Sequence, residues 1–188
     1  MPIRRADLPR DRKRKIAFGA LRFVLYGMMG VTAEVFFYGM ARIGRMLPVV
    51  KDFFLFGWHV DPRLELDRVW HAPLVAGFGQ SSAWMFPVYG VCALCFLELI
   101  YRKTHRWHVL VRALLYGLTI NAWEVVTGWA LVGLSGYAIW YYDDAAAIFH
   151  MSSFFITPVW MVAGLLIETV YRELMDPEVR KSLEATLP

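Results

Sequence analysis

The chain has no phosphate-binding glycine motif, no histidine and cysteine spacing that suits a metal, and only two cysteines. Charge is also scarce: 19% of its 188 residues are Asp, Glu, Lys or Arg, and long stretches carry almost none. Each shortage narrows the function. Without a phosphate-cradling loop, any ATP dependence needs another subunit. His59, His71 and His150 fall on connections beside Asp61, Asp143 and Asp144, so they read as solvated loop residues and no metal is expected. Cys92 and Cys95 form a C-x-x-C inside an apolar segment, where two small apolar residues explain the spacing better than a redox couple. The basic start is followed by no small-residue cleavage pattern, so the apolar run behind it reads as a retained first span.

Hydrophobic residues, in contrast, make up 58% of the chain and aromatics 16%, too apolar for an ordinary soluble domain. Four segments, 23–41, 84–101, 113–134 and 154–171, approach the ~20 residues that cross a hydrocarbon core of about 30 Å. None shows the polar residue at every third or fourth position that a soluble amphipathic helix needs. The expected fold class is all-α integral membrane, with four transmembrane helices and amphipathic extramembrane segments.

Basic residues set the orientation. Arg4, Arg5, Arg10, Arg12, Lys13, Arg14 and Lys15 crowd the N-terminal tail, and Arg102, Lys103, Arg106 and Arg112 the second connection. The third connection, Gly136 to His150, has no Lys or Arg. Short basic loops stay cytoplasmic, which places both termini inside and predicts a bacterial inner (cytoplasmic) membrane protein. The net charge of +4 is then a topology signal, and the expected surroundings are lipid bilayer with no nucleic acid. The organisation expected is a cytoplasmic tail over 1–15, one membrane domain over 16–172 and a second cytoplasmic tail over 173–188. Residues 47–83, with Trp58, Trp70 and Trp84, and the shorter 135–153, with Trp140, Tyr141 and Tyr142, read as headgroup-level connections.

Within the membrane domain the sequence repeats. Residues 22–35 and 112–125 align without a gap, matching at Arg22/Arg112, Leu25/Leu115, Tyr26/Tyr116, Gly27/Gly117, Glu34/Glu124 and Val35/Val125. Ser81-Ser82 and Pro87-Val88 then answer to Ser152-Ser153 and Pro158-Val159, and Glu98, Tyr101 and Arg102 to Glu168, Tyr171 and Arg172. The prediction is two helical hairpins, 20–103 and 108–173, as parallel repeats about an axis along the membrane normal. Function is expected where the halves meet.

Two sets of charges follow. Arg22 and Arg112 begin spans one and three at the depth where Glu98 and Glu168 end spans two and four. They serve as helix-end anchors, pairing either within a helix (Glu98–Arg102, Glu168–Arg172) or across helices. Glu34 and Glu124 lie about 18 Å further along their helices, near the bilayer middle. A charge there costs at least ~2.5–3.5 kcal/mol, which makes such a residue a functional candidate. Two carboxyls about a pseudo-twofold axis could bind a cation, share or relay a proton, or act as acid and base. The simpler reading is a glutamate that hydrogen-bonds a neighbouring helix. Asn121, Gly117, Thr127 and Gly128 share the face of Glu124, and Gly27, Gly30, Val31 and Tyr38 that of Glu34. The candidate ligand or ion site is Glu34, Glu124, Asn121, Tyr26, Tyr116 and Trp123. Pro87 and Pro158, each behind a Ser-Ser pair, read as helix-start architecture.

The stretches L-Y-G…A-E-V in span one, S-S-A-W before span two and W-E-V-V-T-G at 123–128 resemble the CmpB-like membrane family, described as type IV ABC-transporter components. That family includes the animal transmembrane protein 229 proteins. The likeness covers about residues 20–172 and continues through the aromatic-acidic run at 140–143 and Pro158-Val159-Trp160. Family members have a Trp-Asp-Tyr loop where this chain reads Trp140-Tyr141-Tyr142-Asp143, lack the long 47–83 segment, and have a following Asn-x-x-Gly that is missing here. The resemblance implies a compact polytopic protein of transporter type with Glu124 central, and no particular cofactor.

The function expected is therefore of transport or permease type, handling an apolar or amphiphilic molecule or a coupled cation through Glu34 and Glu124. Four spans make a thin conduit, so a homodimer or other membrane subunits are expected as partners. The alternatives are a membrane-embedded enzyme acting on a lipid and an assembly subunit of a larger complex.

Overall fold

Four helices are each long and apolar enough to cross a membrane: Lys15–Met40, Met85–Thr104, Val109–Ser135 and Phe154–Leu174. The computed structural model describes residues 8–44 and 81–174, with side chains over 15–40 and 81–174. The expectations for 1–7, for 45–80 with His59, His71, Asp61, Trp58 and Trp70, and for 175–188 lie outside the described residues. The described part is an integral membrane protein of mostly helical structure.

Helix α1 is Leu8–Gly44. Helix α2, Met85–Thr104, starts on Ser82, whose carbonyl accepts from the Met85 N–H at 2.9 Å and whose Oγ accepts from the Trp84 N–H at 3.3 Å. Pro87 falls within this first turn, where its missing N–H costs no helical bond. Helix α3, Val109–Ser135, is capped by His108 Nδ1, which accepts from the Leu110 N–H. It closes on Gly136 at φ 69°, a left-handed position that glycine adopts without a Cβ clash, with its N–H on the Val132 carbonyl. Helix α4, Thr157–Leu174, follows a short 3-10 turn over Phe154–Ile156 that starts on Ser153, whose Oγ accepts from the Phe155 N–H at 3.1 Å. The two Ser-Ser pairs thus begin their helices in the same way. Between α3 and α4 the chain folds a small ribbon, β1 (Ala147–Ile148) antiparallel to β2 (Ser152–Ser153).

Helix α2 is not regular. Its middle, Cys92–Leu97, is a π-helix between two α-helical pieces. The sequence gives the reason: Pro87 to Glu98 is one residue longer than Pro158 to Glu168. A π-turn absorbs one surplus residue without breaking the helix. It lets both Pro87 and Glu98 keep the faces that Pro158 and Glu168 hold on α4.

Helix α1 packs mainly on α2, and α3 on α4. Small residues permit the approach: Gly27 lies under Phe86, Gly117 under Thr157 and Met161, and Gly164 under Tyr116. A core of Tyr26, Cys92, Ala93, Leu97, Tyr116 and Ile120 joins α1, α2 and α3. Trp123 fastens α3 to α2 by donating its indole N–H to the Val88 carbonyl at 2.9 Å. The outward faces remain apolar, with Phe36, Val126, Leu134, Val162 and Leu166 exposed. So much scattered aliphatic surface would be a liability in water but matches a lipid environment.

Candidate functional site

Apart from the exposed Glu173 at the end of α4, four glutamates lie on the described helices, and their partners divide them into two kinds. At the Arg22 end, Glu98 is 3% exposed and takes a two-pronged bond from Arg22, Nε to Oε1 at 2.7 Å and Nη2 to Oε2 at 3.3 Å. The Tyr26 hydroxyl donates to the same Oε1 at 3.1 Å, and Arg102 reaches Oε2 at 3.4 Å from one turn along the helix. Glu168 is held in the same manner: Arg112 donates from Nε and Nη2 at 2.9 and 2.8 Å, and Tyr116 from its hydroxyl at 2.8 Å. Paired guanidinium–carboxylate bonds of this geometry are strong and directional. The across-helix pairing is the one adopted, Arg22 with Glu98 and Arg112 with Glu168.

These locks also tie down backbone. Arg112 Nη1 donates to the Trp107 carbonyl at 2.5 Å and the His105 carbonyl at 3.4 Å, satisfying groups left open where α2 ends. Arg22 Nη1 reaches the Leu174 carbonyl at 3.5 Å near the end of α4. Tyr171 joins the clusters: its hydroxyl accepts from Arg102 Nε at 2.6 Å, its ring lies beneath the guanidiniums of Arg22 and Arg102, and it meets Tyr101 edge-on at 5.7 Å. Tyr26 and Tyr116, expected among the ligand-binding residues, are placed here instead. Their hydroxyls are committed to Glu98 and Glu168, and they are 1% and 0% exposed.

Glu34 and Glu124 are held by neutral donors. The Ser81 hydroxyl donates to Glu34 Oε2 at 2.7 Å, and Tyr89 of α2 lies near the same carboxylate. Glu124, 5% exposed, accepts from Ser152 Oγ at 2.6 Å and Trp160 Nε1 at 3.0 Å on Oε2, and from the Tyr142 hydroxyl at 3.2 Å on Oε1. Among the described residues, neither carboxylate meets a Lys or Arg. Tyr38 and Tyr89 lie within electrostatic reach of both glutamates, and Tyr142 of Glu124. The described contacts contain no direct bond between the two glutamates.

Ser81 precedes α2 and Ser152 precedes α4, so both carboxyls sit level with the starts of those helices rather than with their middles. Helices α1 and α3 run on past this level. The 136–153 connection brings Tyr142 onto Glu124. Burial, followed by the charge of Glu124, pushes the Tyr142 phenol well above its ordinary value, so it remains a neutral donor.

The connection is fixed from several sides. Asp144 Oδ1 accepts from the Ala146 N–H and the Ser153 hydroxyl, each at 2.8 Å. Trp140 donates to the Met151 carbonyl at 2.8 Å. His150 stacks on Tyr141 at 4.9 Å, and its Nδ1 is 3.0 Å from the Tyr142 carbonyl. Phe149 and His150 both hold left-handed backbone, φ 51° and 61°, which is strained for residues of their size. Asn121 stands one helical turn from Glu124 on the same face of α3. Its Nδ2 donates to Thr157 Oγ1 at 2.7 Å, while its Oδ1, buried, has no partner.

Sequence reasoning missed Tyr89, Trp160 and Tyr142 as neighbours of the glutamates. A signal existed for the first two, since each is the residue after its Pro-Val pair. Cys92 and Cys95 are both free, one buried and one exposed. No cluster of three or more His, Cys, Asp or Glu suited to a metal occurs among the described residues. No family model, curated protein or solved structure matches this chain.

Proposed function

We propose that the protein is of transport or permease type, with Glu34 and Glu124 forming one acidic centre that holds a cation or proton moved as cargo or coupled to it. One observation carries this reading. Of the four glutamates that are not exposed on the described helices, Glu98 and Glu168 are neutralised by arginines, whereas Glu34 and Glu124 have only neutral donors among the described residues. An uncompensated carboxylate in a low-dielectric interior is costly, and a mobile cation or a proton removes that cost. The resident arginines make an architectural end, and the unpaired acids leave a functional one.

The pattern of contacts supports a two-hairpin repeat for this centre. Arg22/Arg112, Tyr26/Tyr116 and Ser81/Ser152 make corresponding contacts to corresponding glutamates. Tyr101 and Tyr171, a further corresponding pair, touch each other, as residues on a shared axis do. We also place the chain with the CmpB-like proteins it resembles, on the strength of Trp123-Glu124-x-x-Thr127-Gly128. The cytoplasmic termini, the bacterial inner membrane and a homodimer or further membrane subunits complete the proposal.

Proteoliposomes with a trapped pH-sensitive dye test it. Protein-dependent dissipation of an imposed proton or alkali-cation gradient is expected, with loss in Glu34→Gln and in Glu124→Gln. Equal flux in the glutamine variants, or none above empty vesicles, overturns it.

A further inference from the structure

We infer that the turn between α2 and α3 is a docking surface for an anionic phospholipid, with its phosphate on Lys103 and Arg106 and an acyl chain along α3. This end of the bundle is remote from Glu124, which lies about 18 Å further along α3 than Arg112. The turn is short and its backbone is pinned. Helix α2 ends at Thr104 and α3 begins at Val109. The Trp107 N–H donates to the Thr104 carbonyl at 2.7 Å, and the Thr104 hydroxyl donates to the Ile100 carbonyl at 2.7 Å. Arg112 grips the His105 and Trp107 carbonyls while it holds Glu168, and His108 caps the Leu110 N–H. Lys103, Arg106 and Trp107 therefore project from a fixed framework. All three are exposed, Trp107 by 53%.

Positive charge and apolar surface meet at this turn. No Asp or Glu occurs in the sequence between Glu98 and Glu124. Glu98 itself is shared by two arginines, Arg22 at 2.7 Å and Arg102 at 3.4 Å, so that cluster carries a net positive charge beside Lys103. At the opposite end of α3, the 136–153 connection has Asp143 and Asp144 and no Lys or Arg, so the basic field belongs to one end. The turn leads directly into a row of exposed leucines. Leu110, Leu114 and Leu118 recur every four residues on one face of α3 and run from the turn into the membrane-spanning part. A soluble anion or a nucleic acid would engage the basic residues and leave the leucines uncovered. A phospholipid matches both, and an exposed tryptophan between them suits the headgroup level. Basic side chains at a helix end favour lipids of net negative charge over zwitterionic ones.

The test places the full-length protein in phosphatidylcholine nanodiscs in which either brominated phosphatidylglycerol or brominated phosphatidylcholine replaces part of the host lipid. Bromine quenches tryptophan on contact, and the difference between the unmodified protein and Trp107→Phe isolates the Trp107 signal. Brominated phosphatidylglycerol is expected to quench that signal saturably, whereas brominated phosphatidylcholine quenches it only in proportion to its mole fraction. Lys103→Gln and Arg106→Gln should each raise the half-saturating fraction about five-fold, the effect of one basic side chain at an anionic surface. The double variant Arg10→Gln, Arg12→Gln, which neutralises two basic residues on α1 instead, should leave it unchanged. Equal quenching by the two lipids, the result expected if the turn binds a protein segment instead, overturns the inference. Unchanged half-saturation in both single variants, or a loss as large in the α1 variant, overturns it as well.

Discussion

Trp160 follows a Pro-Val pair at the start of α4 and donates its indole N–H to Glu124 of α3 at 3.0 Å, and Tyr89, which follows the corresponding Pro-Val pair on α2, lies near Glu34 of α1. Trp160→Phe removes this donor and leaves a smaller aromatic ring. The change is expected to cost at least about 1.5–3 kcal/mol, the range for a hydrogen bond to a charged group. Reversible unfolding in mixed micelles measures it, and a cost near zero would mean the bond does not form.

The arginine locks should behave as structure. Arg112→Ala leaves Glu168 buried without its partner and is expected to destabilise the protein by about 3–5 kcal/mol. Replacing both residues with leucine should recover most of that loss, since an apolar pair fills the space without an orphaned charge. The same unfolding assay reads both variants. Failure of the double variant to recover would point to a role for the pair beyond architecture.

The π-turn of α2 should be removable. Deleting Cys95, an exposed residue within Cys92–Leu97, is expected to return α2 to a regular α-helix with Pro87 and Glu98 on their original faces. Deleting Leu166 from α4, which has no surplus residue, should instead rotate Glu168 away from Arg112 by about 100°. Monodisperse purification yield and unfolding midpoint compare the two deletions. Equal damage from both would contradict the surplus-residue explanation.

Much of this organisation was legible because both halves of the chain state it. Hydrophobic length gave the four spans, and repeated Arg-x-x-x-Tyr-Gly and Glu positions marked which charges belong together. The partners of the glutamates were not legible: counting residues from Arg22 and Arg112 cannot show that Ser81 and Ser152 reach Glu34 and Glu124 from the starts of the neighbouring helices. Tyr26 and Tyr116 looked like ligand-binding residues because they sit on the same helices as the acids. Their hydroxyls point to the nearer glutamates, Glu98 and Glu168, and helical spacing alone does not choose between two acids on neighbouring helices. Tyr142 comes from a connection whose path depends on Asp144, Trp140 and the ribbon, none of which has a periodic signature.

Tyr142 gives a pH dependence. Its folded-state value is raised above the ordinary ~10, so its contribution is complete below about pH 10 and is lost as pH rises through the folded value. Unfolding midpoints measured above pH 9 should therefore fall more steeply for the unmodified protein than for Tyr142→Phe. Parallel slopes would mean that the phenol is not buried against Glu124.

The proximity of Glu34 and Glu124 is open to direct measurement. In a background of Cys92→Ala and Cys95→Ala, cysteines placed at 34 and 124 can be treated with a short, rigid bifunctional thiol reagent in native membranes. A rapid intramolecular cross-link is expected, similar in rate to a control pair at 34 and 81, where Ser81 bonds to Glu34. A cross-link in the control with none between 34 and 124 would mean that the two acids do not share a centre.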